Sequence, residues 1–185
     1  MRIISGKLKG IRIPAFGKID ARPTTDFAKE GLFNVLNNLI DFEGLTALDL
    51  FSGTGSISFE LLSRGAGHVV AIEQNEKHCS YIRKIARDLS LTELVLHRAD
   101  TFRFIPSCKM TFDLIFADPP YQLTTLTTLP DLIFKYGLVK EEGLFVLEHS
   151  DKQSFTTHPQ FMTHKRYGNV NFSFFTPSPV LSEPL

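Results

Sequence analysis

An acidic residue, two prolines and a tyrosine end a mostly apolar run between residues 112 and 121. Residues 112–117 suit a buried strand, and Pro119 and Pro120 end it because proline lacks an N–H group and has a fixed φ. Each proline also favours extended geometry in the residue before it. Asp118 and the main-chain carbonyl of Pro119 are therefore predicted on a stiff turn at the carboxyl end of a strand, beside Tyr121. Two hydrogen-bond acceptors next to a flat ring suit an amino group on a planar heterocycle.

A glycine turn lies earlier in the chain, where Asp49-Leu-Phe51-Ser-Gly53-Thr-Gly55 joins a predicted strand to a predicted helix. The glycines let the backbone approach a ligand closely, and the helix start offers free N–H groups. The spacing is similar to a dinucleotide-binding turn, although Ser58 occupies the place of the third glycine. A tight strand-to-helix turn that binds nothing is the alternative interpretation.

Two more acids follow the next two predicted strands. Glu73 ends the second strand, 24 residues after Asp49, where a carboxylate can accept both hydroxyls of a ribose. Asp100 follows the third strand and can accept the exocyclic amino group of an adenine. Each acid alone could be a helix cap or a solvated turn residue, but three strand-end acids in succession favour a nucleoside site. The residues after the last two acids, Gln74 and Thr101, are predicted to border the same site.

The glycine turn is not followed by a Lys-Ser/Thr pair that could grip phosphate, which disfavours ATP. S-adenosylmethionine fits better, since it has an adenosine and an amino acid but no phosphate. Asp49 and the backbone of the glycine turn could meet the ammonium and carboxylate of its methionine part.

The elements that must position these residues alternate between strand and helix. Such repeats predict a parallel sheet with helices on both faces, whose strand carboxyl ends share one ligand-binding edge. Strands are predicted at 45–51, 68–72, 93–97, 112–117 and 144–149, with one or two more, as an optional hairpin, within 162–176. Helices are predicted at 56–64, 75–89 and 125–136, with a short helical or irregular piece at 101–105.

The N-terminal residues alternate around Gly6 and Gly10, so 2–5 and 8–13 are predicted as two short strands of a hairpin. A helix follows, capped by Thr24, Thr25 or Asp26. Its apolar face is predicted to run from Phe27 to Ile40, with Lys29, Glu30 and Asn34 on the opposite face.

The formal net charge is +0, with 20 basic and 20 acidic residues, but the N-terminus is basic. Only Asp20 is acidic between Met1 and Arg22, against six basic residues. This segment suits phosphate contacts, and a lysine-protected strand edge explains it equally well. The basic residues are Arg2, Lys7, Lys9, Arg12, Lys18 and Arg22.

The chain of 185 residues is 43% hydrophobic and 22% charged, which suits one domain, or one domain with a small appendage. No apolar run approaches the roughly 18 residues of a membrane span, and the charged start does not suit a signal peptide, so we expect a cytoplasmic protein. Cys79 and Cys108 lack metal-ligand or disulfide spacing, so no metal is expected. We divide the chain into a basic extension (1–25), a main domain (26–176) and a fraying tail (177–185).

The sequence DPPY at 118–121 resembles the (D/N)PP(Y/F) signature of amino-methyltransferases that act on nucleobases. With Asp49 to Gly55, Glu73 and Asp100, its order and spacing are similar to the S-adenosylmethionine-dependent class. The segments SGKLKG at 5–10, RPTTD at 22–26 and EGLFN at 30–34 narrow the resemblance to the bacterial RsmD family, from Met1 to about Thr176. Phe27 and Lys29 depart from it, standing where that family often carries arginines.

The resemblance implies a Rossmann-like class I methyltransferase, with a mostly parallel seven-stranded sheet and an N-terminal hairpin. It implies methyl transfer to the N2 amino group of one guanine in 16S ribosomal RNA, on the small subunit or an assembly intermediate, by a monomer without a metal. The implied catalytic residues are Asp118, Pro119, Pro120 and Tyr121. The implied cofactor-binding residues are Asp49, Phe51, Gly53, Gly55, Glu73, Gln74, Asp100 and Thr101. The implied RNA-binding residues are Arg2, Lys7, Lys9, Arg12 and Arg22.

Two other functions stay open. The DPPY sequence also permits methylation of adenine N6 in DNA or RNA. A non-catalytic RNA-binding factor of ribosome assembly could use the same scaffold.

Overall fold

Seven strands form one sheet in the computed structural model, which describes residues 1–17, 26–120 and 122–178. The strands are β1 (Thr46–Leu50), β2 (His68–Glu73), β3 (Leu94–Arg98), β4 (Phe112–Ala117), β5 (Val139–His149), β6 (Phe161–Tyr167) and β7 (Val170–Phe175). The helices are α1 (Asp26–Leu36), α2 (Ser56–Ser63), α3 (Glu76–Asp88), α4 (Thr101–Ser107) and α5 (Leu129–Lys135). A 3₁₀ turn at Leu126–Thr128 precedes α5.

The strand order β3-β2-β1-β4-β5-β7-β6 places six carboxyl ends at one edge of the sheet. The strands β1 to β5 pair in parallel, while β7 is antiparallel to both β5 and β6. Because two antiparallel steps restore the direction, β6 runs the same way as β5. We call the edge where β1 to β6 end the carboxyl edge.

Helices cover both faces of the sheet, as predicted. The residues of α1, α2 and α3 bury one face with Phe116, Val146 and Phe172, while α4 and α5 bury the other with Ile115 and Phe145. The strand interiors are therefore apolar on both sides, as a parallel sheet between two helical layers requires.

Two predicted boundaries near the C-terminus were wrong. Strand β5 begins at Val139 instead of residue 144, because its polar start still pairs with Phe112, with a register shift between Phe112 and Leu114. The predicted helix 125–136 is a 3₁₀ turn followed by α5, because Pro130 is tolerated in the first turn of a helix but not in its interior.

The predicted N-terminal hairpin is reduced to one antiparallel bridge between Arg2 and Arg12. The backbone groups that would extend a ladder are used elsewhere. The Ile4 and Ser5 N–H groups donate to the carboxylate of Glu60 on α2, at 2.8 and 3.0 Å. Gly6, at φ 80°, lies so close to α2 that an added Cβ would stand 1.8 Å from the Ser63 carbonyl oxygen. Docking onto α2 therefore replaces strand pairing.

Helix α1 also departs from the prediction. It ends at Leu36 instead of Ile40, and two residues of its first turn, Phe27 and Lys29, lie on the opposite faces from those predicted, while Glu30 and Asn34 are exposed as predicted. Phe27 is 67% exposed, whereas Lys29 is 1% exposed. Lys29 turns inward because its ammonium donates to the Arg2 carbonyl at 2.7 Å and lies 3.7 Å from the Glu60 carboxylate. The proposed caps Thr24 and Thr25 lie outside the described residues.

Glu60 is fully buried and ties the N-terminal residues to α2. Besides its two backbone donors it accepts from Arg64 Nε at 2.9 Å and faces Lys29. Burial lowers the pKa of Lys29, and the charge of Glu60 opposes that shift. A buried carboxylate with four donors around it is stable only while all of them remain.

We predict that Glu60→Gln destabilises the fold by about 3–5 kcal/mol, because it leaves the Lys29 ammonium and two backbone N–H groups without a buried anion. Urea unfolding measures this change. The matched control is Glu76→Gln, which removes a carboxylate paired with Arg83 at the surface and should leave the free energy of unfolding close to wild type. Equal effects of the two variants would contradict the role of Glu60.

Candidate functional site

The turn between β1 and α2 depends on three positive φ angles, 63° at Phe51, 54° at Gly53 and 79° at Gly55. At Gly55, which caps α2, an added Cβ would stand 2.9 Å from the ring of Phe59, so only glycine fits without displacement. At Gly53 no atom lies nearer than 3.9 Å to such a Cβ, so that side of the backbone is open. The turn thus presents bare backbone at the carboxyl edge.

Asp49 lies beneath this turn and is 1% exposed. Its Oδ2 accepts from the Ser58 backbone N–H at 3.1 Å and from the Ser58 hydroxyl. Ser58, which replaces the third glycine of the expected pattern, therefore fixes the first turn of α2 to the end of β1. Asp49 supports the turn from behind, while Phe51 is half-buried beside it.

The charge around Asp49 is unusual. The pKa of its carboxyl is raised to about 7, mainly because the group is buried; the hydrogen bonds from Ser58 oppose the rise, and the nearby carboxylates of Asp118 and Glu73 add a smaller part of it. These three acids come from the ends of β1, β4 and β2. Parallel pairing of these strands therefore brings three acidic side chains close together at the carboxyl edge.

Glu73 is oriented by the backbone on both sides. Its Oε2 accepts from the Gly53 N–H at 2.8 Å, and its Oε1 accepts from the Asn75 N–H at 2.7 Å. The residue is 8% exposed. The glycine turn and the end of β2 are thus joined through one carboxylate, and the following residue, Gln74, is exposed at the same edge.

Asp100 is the N-cap of α4, and its side chain accepts a hydrogen bond from the Arg103 N–H at 3.0 Å. The alternative interpretation of this acid as a helix cap therefore holds. Asp100 is exposed at the carboxyl edge, while Thr101 is buried beneath it. The next residue, Phe102, meets Phe51 edge to face with ring centres 6.3 Å apart. Sequence reasoning missed Phe102 because its partner lies two strand ends away.

The turn at Asp118 lies directly beside the glycine turn. Strand β4 ends at Ala117, which pairs with Leu50 of β1 in the parallel ladder. Asp118 follows half-buried, Pro119 is buried and Pro120 is exposed. The Pro120 carbonyl accepts from the Leu123 N–H at 2.9 Å, which closes the turn. Tyr121 lies outside the described residues.

The N-terminal segment after Pro14 reaches the Glu73 side of the site, which the sequence did not indicate. Phe16 meets the His78 ring at 4.9 Å and the Tyr81 ring at 5.2 Å. The Tyr81 hydroxyl donates to the Pro14 carbonyl. His78 Nδ1 in turn lies 3.7 Å from Glu73 Oε2. No local pattern predicts the contacts of Phe16 and Pro14 with α3, because they join residues more than 60 positions apart.

The structure separates the four predicted RNA-binding residues that it describes into two groups, and all four are exposed. Arg2 and Arg12 face each other across the bridge, near the start of α2, where Lys29 contacts both the Arg2 carbonyl and Ser56. Lys7 and Lys9 lie near the other end of α2, and Lys7 pairs with Glu93, just before β3, at 3.3 Å. Arg22 lies outside the described residues.

Neither a metal-ligand cluster nor a membrane-spanning helix occurs within the described ranges, 1–17, 26–120 and 122–178. Within them, no three His, Cys, Asp or Glu side chains are grouped so as to hold a metal ion. None of the helices described there combines the length and apolarity needed to cross a membrane.

Residues 1–176 match the protein family described as Conserved hypothetical protein 95. Ribosomal RNA small subunit methyltransferase D of Buchnera aphidicola subsp. Baizongia pistaciae is 34% identical over 151 residues, covering 82% of this chain and 76% of that protein. This chain belongs to the RsmD family. The predicted family membership is therefore confirmed. The Escherichia coli K12 protein of the same name is 28% identical over 159 residues, covering 86% of this chain and 79% of its own.

Solved structures agree with the RsmD-family assignment. An Escherichia coli structure, yhhF, named as a candidate methyltransferase, has a TM-score of 0.82 at 26% identity and covers 95% of this chain and 96% of its own. A Thermus thermophilus structure at 24% identity has a TM-score of 0.83, covers 95% and 99%, and shows the shared fold. The α/β Rossmann-like methyltransferase fold is thus confirmed.

We predict that Asp49→Asn removes a pH dependence of folding stability in this RsmD-family chain. The folded chain keeps the Asp49 proton up to about pH 7, whereas the unfolded chain loses it near 3.8. The stability that the neutral carboxyl contributes is complete below about pH 4 and is lost as the pH rises to about 7. An amide is neutral throughout and can still accept from Ser58.

Urea unfolding of both proteins between about pH 4 and pH 8 tests this. As the pH rises from about 4 to about 7, the free energy of unfolding of the variant should increase relative to that of wild type by up to about 1.4 kcal/mol for each pH unit. Above about pH 7 the difference should stay constant. Unfolding free energies that run parallel for the two proteins across this range would contradict the raised pKa.

Proposed function

We propose that this protein transfers a methyl group from S-adenosylmethionine to the exocyclic N2 amino group of a guanine in 16S ribosomal RNA of the small subunit. The adjacency of β1 and β4 carries the proposal, since it puts the glycine turn and the Asp118 turn side by side at the carboxyl edge. A methyl donor and an amine acceptor need such neighbouring places. The names of the relatives support the ribosomal substrate.

The residues at the glycine turn fit S-adenosylmethionine. Its sulfonium and ammonium groups are positive, and the acidic side chains of Asp49, Glu73 and Asp118 lie close together at this edge, where burial is the main cause that raises the pKa of Asp49 to about 7. The fixed carboxylate of Glu73 would accept the ribose hydroxyls, and Asp100 would accept the adenine amino group. The open backbone at Gly53 and the ring of Phe51 would border the bound molecule, with Gly55, Gln74 and Thr101. When bound, S-adenosylmethionine supplies the methyl group as a reactive sulfonium substituent.

The Asp118 turn would prepare the acceptor. An exocyclic amino nitrogen is a poor nucleophile because its lone pair is delocalised into the ring. The Asp118 carboxylate and the Pro119 carbonyl would each accept one of its N–H groups, which favours a tetrahedral nitrogen and aims the lone pair. The negative charge of Asp118 also stabilises the positive charge that develops on this nitrogen. Tyr121 would stack on the base, worth roughly 1–3 kcal/mol.

A guanine in a folded RNA reaches such a turn only when it is unstacked from its neighbours. Arg2 and Arg12 would hold the flanking backbone. They form a pair flanked by hydrogen bonds from Ile3 to Ile11 and from Ile13 to Met1, so their side chains start close together. Like charges opposite each other cost stability, which a phosphate between them would relieve.

We predict that Asp118→Ala lowers the rate of methyl transfer about 10²–10³-fold, because it removes one positioned acceptor, while binding of S-adenosylhomocysteine persists. Asp118→Asn is the matched control, since its amide keeps one acceptor oxygen and should retain more activity than the alanine variant. The assay uses labelled S-adenosylmethionine and small subunits from cells that lack the enzyme. Calorimetry measures binding of the homocysteine product.

Identification of the labelled nucleoside decides between the functions. N2-methylguanosine supports the proposal, and N6-methyladenosine would replace guanine with adenine as the target. Wild-type protein that binds RNA but neither binds S-adenosylhomocysteine nor transfers a methyl group would be a non-catalytic factor. Full activity of Asp118→Ala would remove Asp118 from the mechanism.

We predict that Arg2→Glu with Arg12→Glu weakens RNA binding more than Lys7→Glu with Lys9→Glu. The charge change is the same, but the arginine pair lies near the start of α2 and the lysines lie towards its far end, roughly 10 Å away. The slope of affinity against salt should fall by about 0.7–0.9 for each phosphate that the variant no longer binds. Equal reductions in both double variants would show that position along α2 does not matter.

A further inference from the structure

Phe27 is a large apolar side chain on the first turn of α1 that solvent reaches over 67% of its surface. The other large apolar residues that are exposed in the described part of the chain have smaller exposed fractions, such as 43% for Met110. A single exposed apolar residue needs no special explanation. Whether the exposure of Phe27 indicates a binding role depends on the residues around it.

Its neighbour is Tyr167, the last residue of β6, which meets it edge to face with ring centres 6.0 Å apart. Tyr167 is held in place. Its hydroxyl donates to the Gly31 carbonyl at 3.0 Å, and its ring lies so close to Gly31 that an added Cβ there would stand 2.3 Å away. The ring also packs 6.1 Å from Phe172. Phe27 therefore rests on a rigid aromatic base instead of projecting freely.

The pair lies at the edge of the sheet that holds the proposed active site. Strand β6 runs in the same direction as β4, so Tyr167 at the end of β6 and Asp118 just after β4 both lie at the carboxyl edge. The order β4-β5-β7-β6 separates them by three strand spacings, about 14 Å. That is too far for one base to contact both, but it is within reach of a nucleotide near the target in the same RNA strand.

The surrounding charges suggest how a nucleotide would lie. Lys165 and Arg166 precede Tyr167 and are exposed, and Arg166 Nε donates to the Gly168 carbonyl at 2.8 Å. On the other side, Asp26 and Glu30 flank Phe27 on α1 and would repel phosphate. A base would therefore face Phe27, with its backbone towards the basic residues of β6.

We propose that Phe27 and Tyr167 form a stacking platform for an unpaired base close to the methylated guanine. This inference rests on the proposed function and adds a second RNA contact to it. Aromatic rings hold unstacked bases of any sequence, because every base presents a π face. The platform would hold the RNA strand in the unstacked form that the Asp118 turn requires.

The test compares Phe27→Ala, Phe27→Leu and Phe27→Trp on small subunits from cells that lack the enzyme. The alanine and leucine variants should each raise KM for the subunits roughly ten-fold, since neither side chain can stack on a base, and leave kcat unchanged. The tryptophan variant should match or exceed wild-type affinity. Met162→Ala, at a 37% exposed apolar residue near the start of the same strand, is the control and should leave KM unchanged.

Three results would overturn the platform. A wild-type KM in the Phe27→Leu variant would indicate that Phe27 makes an apolar contact with a ribosomal protein instead of stacking on a base. An unchanged KM in Phe27→Ala would remove the contact altogether, and a loss of S-adenosylhomocysteine binding in that variant would indicate a structural role. Each is distinguishable from failure of the proposed function, which would show as absent methyl transfer by the wild-type protein.

Discussion

The buried carboxylate of Glu60 is the interaction on which the arrangement of this molecule depends. It accepts from two N-terminal backbone groups and from Arg64, and it faces the buried ammonium of Lys29. Through it, the N-terminal residues, α1 and α2 become one unit. Because α2 begins at the glycine turn, the same carboxylate fixes the basic N-terminus relative to the proposed donor site. The Glu60 contact thus sets the distance between the basic N-terminal residues and the glycine turn.

The second constraint is electrostatic and lies at the carboxyl edge. Parallel pairing of β1, β2 and β4 brings three acidic side chains together, and the pKa of Asp49 is raised to about 7, mainly because it is buried and to a smaller extent because of its acidic neighbours. Backbone N–H groups bind both oxygens of Glu73, and Ser58 binds Asp49, so part of the charge is compensated. A group of acidic side chains at this edge suits a positively charged ligand. Folding here tolerates a local cost that a bound cation would offset.

Much of the fold follows from local patterns. Strand β4 was predicted with the observed bounds, because prolines end it abruptly and its apolar residues are buried on both faces. Strands β1, β2 and β3 and helices α2 and α3 were placed within one or two residues, since apolar runs alternate with helical patterns. The start of β5 was missed because its polar residues carry no strand signal, and only pairing with β4 makes them extended.

The sequence by itself determined which residues make up the proposed site: the acidic strand ends, the glycine turn and the DPPY segment are local patterns that depend on residue type and spacing. Only the tertiary structure decided which side chains turn inward. Lys29 and Phe27 exchange their expected places because Glu60, 31 residues after Lys29, supplies a buried partner for the ammonium. The N-terminal strands do not form for the same reason, since their backbone groups bond to α2. Charge pairing between distant residues has no period along the chain, so no local pattern can reveal it.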